Sequence, residues 1–154
     1  MAVLNNASAF RNAILGSAPV LKATGTITVA TLPLYTIAGG RVMITSLYGL
    51  VTTDITVAGT TLLRANPTVG TTGNLCTATD LGTTDTLAGS LLGISGVVAD
   101  SIVGSVGWVT GFKQGYLIVA AGQIEMVTAT GADGAISWYA TWVPVDDGAT
   151  LVAA

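Results

Sequence analysis

From Thr24 onward, short runs of Val, Ile, Leu, Thr and aromatic residues alternate with Gly, Pro, Asn or Asp, which recur every eight to twelve residues or so. That spacing is the pattern of an all-β sandwich or barrel built from many short strands. It predicts strands at Thr24–Ala30, Leu32–Ala38, Arg41–Val57 with a break near Gly49 or Asp54, Thr60–Ala65 and Asn74–Thr79. Further strands are predicted at Thr86–Ser95, Ser101–Thr110, Tyr116–Ala120, Gln123–Thr130 and Ala135–Val143. Alternation is sharpest in the last of these. Ile136, Trp138, Ala140 and Trp142 share one face, and Ser137, Tyr139, Thr141 and Val143 share the other. Gly131-Ala132-Asp133-Gly134 reads as the turn of a hairpin joining the last two strands, and Pro144 with Asp146-Asp147-Gly148 ends the second. Over Ile37–Val51 a double-glycine turn feeds a run too apolar for a wet face throughout, which predicts a central strand. Arg41, at its start, is read as a solvated or ion-paired charge, with a subunit-interface role as the alternative.

The first twenty or so residues have a different texture, richer in Asn, Ala and Ser. Asn5 or Asn6 is placed to cap a short helix with Phe10, Ile14 and Leu15 as its apolar positions, stopped by Gly16 and Pro19. A helix that short is marginal alone. The segment is read either as an arm that orders on a neighbouring subunit or as an N-terminal strand or frayed end of the same domain. The opening Met1-Ala2-Val3-Leu4-Asn5-Asn6, with Arg11 after several polar positions, lacks the basic start and apolar run of a secretory signal. Leu87–Val109 is long and apolar enough to span a bilayer, yet Asp100 and the glycines at 89, 93, 96, 104 and 107 favour two or three short strands joined by glycine turns.

Composition sharpens this picture. The chain has 154 residues, enough for one domain and its core, and 51% of them are hydrophobic. Only 8% are charged, against roughly 25% in an average soluble protein. A free monomer normally stays soluble through mixed surface charge, so a domain this poor in it is expected to hide part of its exterior against other subunits. Thr, at 24 residues, takes the place of charge on half-exposed strands. The net charge of -3 and the scattering of Arg11, Lys22, Arg41, Arg64 and Lys113 leave no basic stripe, so no nucleic-acid partner is expected.

Catalytic chemistry finds little to stand on. The chain has no His, which removes the commonest general base and the commonest metal ligand. Paired carboxylates remain: Asp80 with Asp85, Asp146 with Asp147, or a pair drawn from Asp54, Asp100, Glu125 and Asp133. Most of them adjoin Gly or Thr in predicted loops, where Asx turns account for an aspartate without proton transfer. The acids lack the regular spacing of a calcium loop, and the glycines match neither a phosphate-binding loop nor a nucleophile elbow. The single Cys76 is read as a small buried thiol. Trp138 and Trp142 are read as core or packed interface, not as a sugar-stacking platform, and Trp108 is left unassigned.

Three stretches carry a resemblance: Gly39-Gly40-Arg41-Val42-Met43-Ile44-Thr45-Ser46-Leu47-Tyr48-Gly49, then Asn66-Pro67-Thr68 with Leu75-Cys76, then Gln123-Ile124-Glu125 leading through Gly134 to Trp138 and Val143-Pro144. In texture and order, over roughly residues 35 to 150, the chain resembles small structural proteins of tailed-bacteriophage virions, and most of all capsid decoration (cement) proteins. Such proteins are typically β-rich and often trimeric, and they clamp neighbouring major capsid subunits on the outside of the shell. The resemblance carries no catalytic motif.

The expectation is therefore an all-β, single-domain antiparallel sandwich or jelly-roll-like barrel over residues 24–154, preceded by an N-terminal arm over residues 1–23. Its expected function is non-enzymatic: a homo-oligomer, by the resemblance a trimer, that binds the major capsid protein on the virion surface and stabilises the head. The alternative is a head-fibre or tail component with a receptor-binding role. Val3, Leu4, Phe10, Arg11, Ile14, Leu15, Val20 and Leu21 are the candidate interface residues. No cofactor, metal, nucleic acid or membrane is expected to take part.

Overall fold

The computed structural model describes residues 12, 16, 18–106 and 115–154. They form twelve strands: β1 (Val20–Ala23), β2 (Thr31–Ala38), β3 (Val42–Thr53), β4 (Thr60–Pro67), β5 (Gly73–Asn74), β6 (Thr79–Asp80), β7 (Ser90–Gly93), β8 (Val103–Val106), β9 (Leu117–Val119), β10 (Gly122–Thr128), β11 (Ala135–Pro144) and β12 (Thr150–Ala153). All pairings are antiparallel and fall into two sheets. Sheet A runs β1-β11-β3-β7-β8, with β9 also on β3; sheet B runs β12-β2-β10-β4-β5, with β6 also on β4. The chain therefore switches sheets at β1 to β2, β2 to β3, β3 to β4 and β6 to β7, and again at β9 to β10, β10 to β11 and β11 to β12. Each sheet interleaves early and late strands, the order of a jelly roll.

Both inner faces feed one core. Leu34, Tyr35, Ile44, Leu47, Leu63, Ile124, Ile136 and Trp138 have no exposed surface, and they come from both sheets. The alternation in β11 holds as read: Ile136, Trp138 and Ala140 are buried and Trp142 is partly buried against the core, while Ser137, Tyr139, Thr141 and Val143 face outward. β3 is central, between β11 and β7. It bulges where β11 steps from Thr141↔Ser46 to Trp142↔Ile44, so Thr45 and Ser46 both face outward between buried Ile44 and Leu47.

Four expectations are corrected. The expected hairpin at Gly131–Gly134 is a crossing between sheets, because β10 pairs with β2 and β4 whereas β11 pairs with β1 and β3. Thr24–Ala30 is not a strand. It carries the chain from sheet A to sheet B, burying Ile27 and leaving Val29 60% exposed. Asn74–Thr79 pairs only at its ends; between them Leu75 donates its N–H to the Leu63 carbonyl, and the Cys76 Sγ accepts the Leu63 N–H at 3.3 Å. Finally, Val20–Ala23, placed in the arm, is the edge strand β1, so the sheet begins inside the segment assigned to residues 1–23. β12 lies beyond the last predicted strand and borders β2, where the Lys22 Nζ of β1 donates to the Ala154 carbonyl and ties the two layers together.

Candidate functional site

The loops are held by carboxylates. Asp80 Oδ1 accepts the N–H groups of Gly59, Gly82 and Thr83, and its Oδ2 accepts the Thr83 hydroxyl at 2.6 Å. These bonds, the Thr83 hydroxyl first, hold its pKa down at about 2. Asp146 accepts the Nε, Nη2 and backbone N–H of Arg41, so the guanidinium is paired as expected and pulls Asp146 down to about 2. Asp54 accepts the Ala88 N–H and Asp100 the Ser95 hydroxyl. Each of these aspartates orders a turn or a strand end. Among the described residues no three His, Cys, Asp or Glu side chains gather into a metal-binding group.

The outer faces of the two sheets differ in chemistry. On sheet B the buried Glu125 accepts from Arg64 Nε at 2.6 Å and from Asn66 Nδ2 at 3.0 Å, and the Thr72 hydroxyl continues the network to Asn66. On sheet A the outward residues include Tyr48, Leu50, Leu91, Tyr139 and Leu21 beside the polar Thr45, Ser46, Ser137 and Thr141, and the rings of Tyr48 and Tyr139 stack 5.1 Å apart. Burial and the neighbouring Tyr139 both push the Tyr48 hydroxyl pKa up.

Apolar exposure concentrates along one margin of sheet A. Val97, Val98, Val103, Val106, Tyr116 and Ile118 are six of the thirteen exposed large hydrophobic side chains among the described residues. The topology makes them neighbours: β8 pairs with β7, and β9 continues beside β3 where β7 leaves off. The Gly115 N–H donates to the Ser95 carbonyl and joins the 94–102 loop to the start of β9. Within 94–106 and 115–119 the only charged residue is Asp100, and its carboxylate is already bonded to Ser95. Two grooves flank this margin, one lined by Leu87, Leu92, Ile102 and Val106, the other by Pro67, Leu75, Leu117 and Ile118. Among the described residues β8 and β9 each have one free edge, and a free edge bearing valines is a template for another chain unless something covers it.

Of the interface residues expected from the sequence, Val3, Leu4, Phe10, Arg11, Ile14 and Leu15 lie outside the described residues, as does Trp108. Val20 turns toward the core, and its carbonyl accepts the Tyr35 hydroxyl at 3.3 Å; Leu21 is 50% exposed beside Tyr139 on the outer face of sheet A. The apolar margin was not singled out from the sequence. Its signal was present in Leu87–Val109, a run too apolar for its charge that had been weighed as a membrane span; β7, the 94–102 loop and β8 occupy most of it. No helix among the described residues is long and apolar enough to cross a membrane. Comparison with protein-family models, with curated proteins and with solved structures gives no match in any of the three.

Proposed function

We propose that this chain is a non-enzymatic structural protein of a tailed-bacteriophage virion, a capsid decoration protein that self-associates and clamps major capsid subunits from outside the shell. The observation that carries the reading is the apolar margin formed by β8, β9 and the 94–102 loop, where exposed Val, Tyr and Ile side chains line two strand edges that are free among the described residues, with Asp100 the one charge among those residues. A margin of this kind is stable in water when another subunit covers it. The low charge of the whole chain supports the same reading. The jelly-roll strand order agrees with it by analogy only, since that fold also serves lectins and cupins.

Stabilisation would follow from mass action: a protein that binds only the assembled lattice lowers the free energy of that state. An oligomer with several contacts gains further through effective concentration, which suits the trimer implied by the resemblance. The test is the copy number of this chain per major capsid subunit in purified particles, by quantitative mass spectrometry. A ratio near one supports a decoration lattice. A handful of copies per particle would replace this reading with a fibre or tail role, and absence from the particle would remove the virion reading altogether.

A further inference from the structure

Gly16 stands four residues before β1 and is buried. Its φ is +93°, and a Cβ there would lie 2.7 Å from the Thr45 hydroxyl and 2.9 Å from the Trp142 carbonyl oxygen. Thr45 is an outward residue at the bulge of β3, and Thr141, opposite, bonds to it through the two hydroxyls at 2.6 Å. The backbone at Gly16 is therefore seated on the outer face of sheet A, toward the Val42 and Pro144 end of the β3 and β11 pair, at a spot only a glycine fits. The Gly16 N–H donates to the Asn12 carbonyl at 3.0 Å.

Beyond the Thr45 and Thr141 pair this face turns apolar, whereas in an antiparallel sandwich the side away from the core is normally polar. The stacked Tyr48 and Tyr139 lie in the next outward row from the bulge, with Leu50 and Leu91 in the row after that, and all four side chains are half-buried. Among the described residues no third layer of strands packs there. Residues 1–11, upstream of Asn12, reach about 36 Å if extended. That is ample to cover the face, and they include the apolar Val3, Leu4 and Phe10.

We propose that the outer face of sheet A is the seat of the chain's own N-terminal segment, which Gly16 anchors at Thr45 and Trp142 so that Phe10, Ile14 and Leu15 cover the stacked Tyr48 and Tyr139. The occupant belongs to the same subunit because only three residues separate Gly16 from β1, and β1 is already paired to β11 of that sheet. A tether this short gives the segment a local concentration in the millimolar range or above, which a neighbouring copy has to outcompete. The proposal stands on the Gly16 contact and does not depend on the capsid reading.

A nitroxide attached to Ala7→Cys in the full-length protein tests it by nuclear magnetic resonance, since the native Cys76 is buried and escapes labelling. The amide signals of Tyr48, Leu50 and Tyr139 are expected to lose most of their intensity within one molecule, while those of Arg64 and Gln123 on sheet B keep theirs. Mixing isotope-labelled protein without nitroxide and unlabelled protein with it separates the sources. Broadening confined to that mixture would assign the face to a second copy and overturn the proposal, as would no broadening at all. Gly16→Val is expected to abolish the effect with an unchanged β-sheet circular dichroism spectrum, and retained broadening would refute the anchor. Should that variant not fold, removal of residues 1–11 is expected to speed nitration of Tyr48 and Tyr139 by tetranitromethane several-fold; an unchanged rate would count against the proposal.

Discussion

Asp133 holds Thr56 with both of its carboxylate oxygens: Oδ1 accepts the Thr56 N–H at 2.9 Å, and Oδ2 accepts the Thr56 hydroxyl at 2.7 Å. The same Oδ1 accepts the Val57 N–H at 3.0 Å. Asp133 lies in the crossing from β10 in sheet B to β11 in sheet A, and Thr56 lies in the crossing from β3 in sheet A to β4 in sheet B. One carboxylate thus ties together two connections that cross between the layers at the same end of the sandwich. Gly131 and Gly134 make room for this approach, because a Cβ on either would lie within 2.5 Å of a backbone oxygen of the 53–58 segment.

Replacement of Asp133 by Ala is expected to lower Tm by several degrees without changing the fold, since three donors lose their acceptor and the end of the sandwich loosens. Hydrogen exchange at the Thr56 and Val57 amides should rise far more than at Leu63 in the core. Equal exchange in both proteins at Thr56 and Val57 would show that the carboxylate does not hold this end.

Acid should destabilise the protein through its aspartates. Asp80 and Asp146 have pKa values of about 2 in the folded chain, and that of Asp133 is lowered chiefly by the Val57 N–H. The ordinary value for an aspartate is 3.8. Because the folded values lie below it, the stabilisation is fully present above about pH 5 and is lost as pH falls from about 4 toward 2. Thermal unfolding followed from pH 6 to pH 2 should show Tm nearly level and then falling, with a shallower fall for Asp80→Asn and Asp146→Asn. All three groups are solvent-accessible, so high salt should flatten the profile.

On sheet B, Arg64→Met leaves the Glu125 carboxylate buried without its cation. Breaking a buried pair from one side costs roughly 3–5 kcal/mol, and the partial exposure of Arg64 favours the lower end. The double variant Arg64→Met with Glu125→Leu should recover most of that loss in urea unfolding. A double variant as unstable as the single one would mean that the pair stabilises beyond its own desolvation.

Packing beneath the stacked tyrosines leaves no slack at Gly49. A methyl group there would stand 2.9 Å from Ile136 Cγ2 and 3.2 Å from Trp138 Cε3, both on the buried face of β11. Gly49→Ala is expected to cost about 1–3 kcal/mol through overpacking, with a shift in Trp138 fluorescence. Gly25→Ala is a useful contrast: nothing lies within 4 Å of its Cβ, so any penalty there comes from its φ of +64°.

Charge placed on the apolar margin should separate assembly from folding. Val103→Lys with Ile118→Lys alters two side chains that are 45% and 65% exposed, so Tm of the isolated chain is expected to change little. Sedimentation velocity should then show a shift from oligomer toward monomer, while Val29→Lys, on the β1 to β2 crossing, leaves the distribution as it was. An unchanged oligomer in the double variant would take the margin out of the assembly. A deletion meant to probe the arm should stop at residue 11, because one ending at residue 21 removes half of β1.

Much of the local order was legible in the chain. The period-two pattern placed Ile136, Trp138 and Ala140 on the buried face; the apolar run after Gly40 made β3 central; Cys76 was buried and Arg41 paired. These features depend on a residue's own chemistry and its near neighbours. Which sheet a strand joins depends on backbone hydrogen bonds, and every residue but proline offers the same donor and acceptor, so side chains carry little code for it. Gly131 and Gly134, with positive φ, suit a tight hairpin turn as well as a crossing, and only the pairing of β10 with β4 and of β11 with β3 decided between them. The same limit hid β1 and β12, four-residue strands too short to show a period, and it hid the margin, whose valines gained Tyr116 and Ile118 as neighbours only when β9 was laid beside β3.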